Sequence, residues 1–216
     1  MKITIFSDIH GDIYSLESLF ERESSDKFIC LGDLVGYGPH SNACIELAIS
    51  KCGVDNIVRG NHEDMFISGR AHESCSPLAK RFFSFSYGLY SEDPRLKKFP
   101  NKVVDNGDRN ARSLVFTHTL EGRHIYPNTI FQTVESQSIF IGHSHIQFCT
   151  GLSSGGNVIN VGSLGQNRKQ KDIACYANYY VESDSVEYCS FWSPKDRLIQ
   201  DMMKLNIDED LLAYYE

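Results

Sequence analysis

Five short apolar runs in this chain each end on a side chain that can bind a metal ion. The five endings are Asp8, Asp33, Asn61, His118 and His143. In an open α/β sheet, ligands collect in the crevice beyond the carboxyl ends of the strands, so side chains at those ends can meet at one point. The sequence therefore predicts an α/β fold with a binding site at the strand ends.

Two further histidines follow the first and the last of these endings. His10 lies two residues after Asp8, and His145 lies two residues after His143. On an extended chain this spacing places both side chains on one side, which predicts that each pair chelates one ion. Oxygen and imidazole ligands without a thiolate are typical of divalent transition metals such as Mn, Fe or Zn.

Helical periodicity follows the first two strands. Asp12 is predicted to cap a helix in which Ile13 and Leu16 share an apolar face, and a second helix is predicted to begin near Pro39. The intervals between the first three strand ends are close to the roughly 30 residues of a βαβ unit. Three parallel strands with right-handed crossovers are therefore expected, followed by a helical segment from 64 to 98.

The second half of the chain is predicted to form a mixed or mostly antiparallel sheet. Strands are expected at 102–104, 113–116, 138–141, 146–150, 157–161, 172–181 and 185–191. Asn106-Gly107-Asp108 and Ser153-Ser154-Gly155-Gly156 are typical turn sequences. The tail at 196–216 has helical periodicity, and residues 1–216 are predicted to be one domain in which two sheets stack with helices outside.

Composition argues against several classes of partner. The formal net charge of −7 lacks the basic footprint of a protein that binds long nucleic acid. No run approaches the roughly 18 apolar residues of a membrane span, so no membrane partner is expected. The seven cysteines include no Cys-x-x-Cys pair, and the first residues do not form a signal peptide, which together predict reduced thiols and a cytoplasmic location.

Taken together, the strand-end motifs resemble those of the calcineurin-like metallophosphoesterases. The motifs, in family order, are Asp8-Ile9-His10, Gly32-Asp33, Gly60-Asn61-His62-Glu63, Thr117-His118 and Gly142-His143-Ser144-His145. The resemblance covers about residues 1–165 and extends to a small bacterial phosphodiesterase-like branch, through Gly-Asp-Leu-Val-Gly-Tyr-Gly-Pro at 32–39 and Asn-x-Gly-Ser at 160–163. It implies the metallo-dependent phosphatase-like fold, a four-layer α/β/β/α sandwich of two mixed sheets flanked by helices.

The resemblance also implies a dinuclear site with two divalent ions per chain, Mn, Fe, Zn or Ni, with Mn favoured for activity. The first ion would be held by Asp8, His10 and His145. The second would be held by Asn61, His118 and His143. Two adjacent cations need a shared anion, and Asp33 would bridge them. His62 would be the catalytic residue that protonates the leaving oxygen.

The implied activity is hydrolysis of phosphate esters, small phosphodiesters or phosphomonoesters, by a hydroxide that bridges the two metals. Alternatives within the enzymes are a dinucleoside-polyphosphate hydrolase and a phosphoprotein phosphatase. The non-enzymatic alternative is a partner-binding scaffold of the same fold, which the complete ligand set and the presence of His62 disfavour. The sequence leaves the oligomeric state open.

One departure bears on these alternatives. Phosphoprotein phosphatases of this superfamily carry Gly-Asp-x-x-Asp-Arg-Gly, and Gly36 and Tyr37 stand here in place of its second Asp and its Arg. The arginine that clamps a phosphorylated side chain and the carboxylate partner of the catalytic histidine are both missing from this motif. The phosphoprotein phosphatase interpretation is therefore disfavoured.

Other polar residues allow two interpretations each. Arg168 and Lys169, in a basic segment at 166–171, are candidates for binding a small anionic substrate, with a solvated hairpin tip as the alternative. Two or three cations do not form the extended track that long DNA or RNA requires. Arg59 is interpreted as an ion-pair partner rather than a phosphate clamp. Structural roles are predicted for His40, His72 and His124.

Overall fold

The structure is a computed structural model that describes residues 1–106, 113–120, 122–130, 137–153 and 155–215. Within these residues the strands are β1 (Lys2–Phe6), β2 (Lys27–Cys30), β3 (Lys102–Asp105), β4 (Leu114–Thr117), β5 (Ser138–Ile141), β6 (Phe148–Gly151), β7 (Asn157–Asn160), β8 (Ile173–Tyr180) and β9 (Ser185–Trp192). The α-helices are α1 (Ile13–Arg22), α2 (Ser41–Cys52), α3 (Asn61–Ser68), α4 (Pro77–Gly88), α5 (Lys195–Lys204) and α6 (Glu209–Leu212).

The strands form two mixed sheets. The first has the order β2-β1-β8-β9, in which β1 is parallel to β2 and the other pairs are antiparallel. The second has the order β3-β4-β5-β7-β6, with three parallel central strands and two antiparallel edge strands. The predicted mixed sheet is confirmed, but β8 and β9 leave it for the first sheet because β8 pairs with β1.

An apolar layer between the sheets holds them face to face. Ile5 in β1 packs in one buried cluster with Phe116 in β4 and Phe140 in β5. Helices cover the other face of the first sheet, where Leu16 of α1 and Ile45 of α2 are buried in a second cluster. The two mixed sheets flanked by helices are the predicted fold. On the outer face of the second sheet, the connection between β4 and β5 supplies the cover, through residues that include Leu120 and Ile125.

The third parallel strand, predicted to reach Asn61, is reduced to a single bridge between Cys30 and Ile57. The chain turns into α3 directly at Asn61, because the Gly60 N–H is capped at 2.8 Å by the Glu63 carboxylate. The helices predicted after the first two strands, between 64 and 98 and in the tail are present as α1 to α6.

Parts of two predicted turns, at Gly107-Asp108 and at Ser154, lie outside the described residues. The strand pairs that flank them, β3 with β4 and β6 with β7, are antiparallel as hairpins require. Among the helices of the described part of the chain, none has both the length and the apolar character needed to cross a bilayer.

Replacing Ile5 with Ala should destabilise the protein by about 2–5 kcal/mol, because the side chain is fully buried between the sheets and its removal leaves a cavity. Urea denaturation measures the free energy of unfolding. Ile130→Ala is the matched control: its side chain is 87% exposed, so a change within about 0.5 kcal/mol is expected. Equal effects at both positions would contradict the packing between the sheets.

Candidate metal centre

All seven predicted metal ligands meet at one end of the two sheets. Asp8 and His10 follow β1, Asp33 follows β2, and Asn61 is the first residue of α3. The second sheet contributes the three remaining ligands, which follow β4 and β5: His118, His143 and His145. Both sheets therefore build the site, as expected for ligands at the carboxyl ends of strands.

The loops that carry these ligands have left-handed backbone conformations. The φ angles are 55° at Asp8, 52° at His10, 54° at Asp33, 66° at His143 and 59° at His145. Such a conformation is unfavourable for residues other than glycine, by roughly 1–2 kcal/mol each. Because the chain is coiled rather than extended here, the simple two-residue spacing rule used for the sequence does not apply to these loops.

The first cluster consists of Asp8, His10 and His145. The Nε2 atoms of His10 and His145 lie 3.2 Å apart, and Nε2 of His145 lies 3.2 Å from Oδ1 of Asp8. His143 lies in the other cluster. The structure places Asp8 and His10 in one cluster, as the two-residue spacing predicts, but places His143 and His145 in different clusters, contrary to that spacing argument.

The second cluster gathers around Nε2 of His118. This atom lies 3.2 Å from Oδ2 of Asp33, 3.2 Å from Nδ1 of His143 and 3.1 Å from Oδ1 of Asn61. The same Oδ2 atom of Asp33 lies 3.9 Å from Nε2 of His10 in the first cluster. A single carboxylate oxygen therefore faces both clusters, while Oδ1 accepts a hydrogen bond from the His62 N–H at 2.8 Å.

Backbone carbonyl groups orient three of the imidazoles. Nδ1 of His118 lies 2.8 Å from the Leu31 carbonyl oxygen, and Nδ1 of His145 lies 2.7 Å from that of Gln166. Nδ1 of His10 lies 3.3 Å from the carbonyl of Val35. A carbonyl can only accept, so each Nδ1 donates to it and each Nε2 faces the cluster. This arrangement is usual for metal-binding histidines.

Buried charges make the centre favourable for a cation. Burial by itself raises the pKa of Asp8 and of Asp33, but His145 beside Asp8 and His118 beside Asp33 lower both pKa values overall. Burial also opposes charge on His118, yet the carboxylate of Asp33 raises its pKa to about 10. For His143, burial and the charge of His118 lower the pKa to about 4. The two carboxylates thus draw positive charge into the centre. These donors fit a divalent metal ion.

Comparison with known proteins agrees with this geometry. A family model described as calcineurin-like phosphoesterase matches residues 1–172. The chain belongs to the calcineurin-like phosphoesterase family. It is a phosphoric ester hydrolase, and the family implies that hydrolysis depends on divalent metal ions.

Relatives of this phosphoesterase extend over nearly the whole chain. The uncharacterized protein MJ0912 of Methanocaldococcus jannaschii is 25% identical over 218 residues, which cover 86% of this chain and 87% of that protein. A metallophosphoesterase structure from Sphaerobacter thermophilus has a TM-score of 0.72 at 22% identity, covering 100% of this chain and 98% of the other. The hypothetical protein PH1004 from Pyrococcus horikoshii OT3 has a TM-score of 0.79 at 14% identity, covering 99% and 97%. Both structures share the fold of this phosphoesterase.

His62 lies beside the first cluster, with its ring centroid 4.6 Å from that of His10. Its Nδ1 atom is buried and has no hydrogen-bond partner within the described residues. Gly36 explains this environment: at φ of 92° it faces the imidazole, and a Cβ atom there would collide with Nδ1. Gly36 stands where the phosphoprotein phosphatases carry their second aspartate. In this chain the His62 imidazole occupies the space that a side chain at position 36 would need.

Glu63 is a site residue whose role the sequence reasoning missed. Its carboxylate is fully buried and accepts hydrogen bonds from the N–H groups of Asp33 at 2.8 Å, Leu34 at 2.7 Å and Val35 at 3.3 Å, in addition to Gly60. Burial and the charge of Asp33 raise the pKa of Glu63 to about 7, while the N–H donors act in the opposite direction. Glu63 thus holds the loop that presents Asp33. The sequence signal that could have indicated this role is the position of Glu63 directly after Asn61 and His62 in one motif.

A cleft of about 920 Å³ opens above the metal clusters. Arg168 lines it, together with Tyr37 and His124, whereas Lys169 is exposed and is not among its lining residues. His124 was predicted to be structural, yet its ring lies 3.9 Å from that of His143. No local motif marks His124, because the contact depends on how its loop folds back. His72, also predicted to be structural, lines the cleft as well.

Two other predictions for polar residues are confirmed. Asp12 caps α1 by accepting a hydrogen bond from the Ser15 N–H at 3.1 Å. Arg59 pairs with Asp64, with Nε and Oδ1 3.3 Å apart, and donates to Asn101 at 2.7 Å. Arg59 is therefore an ion-pair partner in this structure.

Replacing Glu63 with Gln should weaken Mn²⁺ binding by about 10- to 100-fold, the usual effect of removing a group that orients metal ligands. The amide would place an N–H₂ group against backbone N–H donors and disturb the Asp33 loop. Isothermal titration with Mn²⁺ measures the dissociation constant. Glu17→Gln, on the exposed face of α1, is the control and should bind as the wild type does. Unchanged affinity in Glu63→Gln would show that the loop holds Asp33 without Glu63.

Proposed function

We propose that this phosphoesterase hydrolyses small phosphodiesters or phosphomonoesters at a dinuclear metal centre. The single observation that carries the proposal is Oδ2 of Asp33, which lies within reach of both ligand clusters. One ion would be held by Asp8, His10 and His145. The other would be held by Asn61, His118 and His143. Two divalent ions there, Mn, Fe, Zn or Ni, with Mn favoured for activity, would activate water and neutralise phosphoryl oxygens.

His62 is the proposed catalytic residue of the chain itself. It borders the cleft next to His10. It also forms a third group of close donor atoms with His10 and Asp33, so the metal content of a His62 variant distinguishes an acid from a ligand. Burial lowers the pKa of His62, with the charge of Asp33 opposing this, so the protonated imidazole readily releases its proton to a leaving oxygen. Because Nδ1 has no carboxylate partner in the described residues, the phosphoprotein phosphatase alternative has less support.

Substrate size is proposed from charge and shape. Two arginines line the cleft, Arg70 and Arg168. Arg168 interacts electrostatically with His124 and is retained as the anion contact, with Lys169 a weaker candidate. The net charge of −7 supports a small phosphate ester and argues against long nucleic acid. A cytoplasmic location is proposed from the seven cysteines, all of which are unpaired thiols.

Replacing Asp33 with Asn should weaken binding of divalent metal by at least about 10-fold, because the charge shared by the two clusters is removed. Metal analysis of the purified wild type should find two divalent ions per chain, and the variant should retain fewer. Asp55→Asn, which changes an exposed aspartate, is the control and should retain the wild-type content. A wild-type protein that neither holds nor is activated by a divalent ion would contradict the dinuclear centre.

Replacing His62 with Asn should leave the metal content near normal and lower kcat by about 10²- to 10⁴-fold, the usual contribution of a general acid. The loss should be smaller for p-nitrophenyl esters than for alkyl esters, because p-nitrophenolate leaves without protonation. Steady-state kinetics with both ester types in Mn²⁺ test this. An equal loss for both would instead assign His62 to substrate binding, and loss of metal would make it a ligand.

A further inference from the structure

A second, smaller pocket of about 220 Å³ adjoins the cleft. It lies between the segment 165–171 and the C-terminal part of the chain, and its walls include Tyr214 and Tyr215. Three cationic residues line it, and no acidic residue does: Arg168, Lys171 and Lys195. Arg168 lines both this pocket and the cleft above the metal centre, so the two spaces share a wall. We call this space the basic pocket.

Lys195 is the most unusual residue of the basic pocket. It is only 6% exposed, and within the described residues its Nζ has no hydrogen bond or ion pair. Its Nζ lies over the ring of Tyr215, 5.9 Å from the ring centroid. A lysine whose stem is buried while its ammonium group reaches a pocket can bind an anion there. The Nζ of Lys195 lines the basic pocket without an ion pair in the described residues, so it is suited to an anionic ligand.

The acidic groups near Lys195 do not satisfy its charge. Asp12 and Asp172 both raise the pKa of Lys195, while burial lowers it, but neither carboxylate reaches Nζ within ion-pair distance. The two carboxylate oxygens of Asp12 are already engaged by the N–H and the hydroxyl of Ser15, at 3.1 and 2.7 Å. Asp172 is exposed.

Gln166 provides a second observation in the same pocket. It is 5% exposed, its Oε1 is buried without a hydrogen-bond partner, and its Nε2 donates to the Tyr215 hydroxyl at 3.3 Å. Its backbone carbonyl accepts from Nδ1 of His145 at 2.7 Å, which connects the basic pocket to the first metal cluster. Oε1 of Gln166 can accept a hydrogen bond from a hydroxyl, and Lys171 and Lys195 attract negative charge. A phosphate monoanion has both a hydroxyl and a negative charge.

The volume limits what the basic pocket can hold. Sites for whole drug-sized ligands are roughly 300–1,000 Å³, so 220 Å³ fits one compact group rather than a nucleoside. A group in this pocket would be connected past Arg168 to whatever occupies the cleft. Charge and size together therefore favour a terminal phosphate of the molecule that is hydrolysed at the metal centre.

We propose that the basic pocket binds a second phosphate of the substrate, so that the preferred substrates are phosphate esters that carry two phosphate groups. This inference rests on the hydrolysis proposed at the metal centre. Lys195 and Arg168 would contact the second phosphate, and Lys171 would contribute charge at the pocket mouth. Among the alternatives raised by the sequence, a dinucleoside polyphosphate belongs to this class.

The kinetic test compares adenosine 3′,5′-bisphosphate with adenosine 5′-monophosphate in Mn²⁺, in the wild type and in Lys195→Met. The ratio of kcat/KM for the bisphosphate to that for the monophosphate should fall about 10- to 100-fold in the variant, mainly through KM, because a charge-assisted contact is lost. Lys195→Arg should restore most of the ratio. Lys98→Met, which changes an exposed lysine, is the control and should leave the ratio unchanged. An unchanged ratio in Lys195→Met would overturn the proposal.

A binding experiment separates failure of this inference from failure of the proposed function. Isothermal titration of the metal-loaded protein with inorganic phosphate should detect two sites in the wild type and one in Lys195→Met. If the metal centre does not bind phosphate but the basic pocket does, the wild type should show one site that Lys195→Met loses. Identical titrations of the two proteins would mean that the basic pocket takes no phosphate, whatever happens at the metals.

Discussion

Hydrogen bonds to Asp8 join the two sheets at the metal centre. Its carbonyl oxygen accepts from the Gly165 N–H at 3.0 Å and from the Ser163 hydroxyl at 2.8 Å, while its carboxylate accepts from the His143 N–H at 3.0 Å. These bonds connect the end of β1 in the first sheet to loops that follow β5 and β7 in the second. The sheets must therefore meet in one relative position before the ligands of either cluster can assemble.

The same bonds offset the cost of an unfavourable backbone. The left-handed residues are held by further hydrogen bonds, such as those of the Asp8 N–H to the Gly32 carbonyl at 3.0 Å and of the His10 N–H to the Asp33 carbonyl at 2.9 Å. Glu63 fixes the Asp33 loop from the other side. Buried carboxylates and imidazoles cost desolvation energy that an ion would offset, so metal binding and folding are coupled in such a site.

The sequence predicted which residues form the site better than it predicted which strands and loops contact one another. Strand ends and motifs predicted all seven converging side chains, because ligand type and position are local properties. The pairing of β1 with β8 could not be predicted, since nothing near Ile3 specifies a partner as distant as Tyr179. Glu63 and His124 were missed because their roles depend on loops that fold back from elsewhere. The length of the strand before Asn61 was overestimated. Its two apolar residues, Ile57 and Val58, are typical of a strand, but in the fold only Ile57 forms a β-bridge, to Cys30.

The position of β1 in the middle of the first sheet has a consequence for the order of folding. β1 pairs with β2 soon after both are synthesised, but its other edge is completed only by β8, where Ile5 faces Ala177. Contacts between residues so distant in sequence form slowly, because the chain loses the entropy of closing the intervening loop before the contacts stabilise it. Until β8 arrives, the free edge of β1 is an aggregation hazard on the ribosome and during refolding. Refolding of this enzyme should therefore be limited by the pairing of β8 with β1.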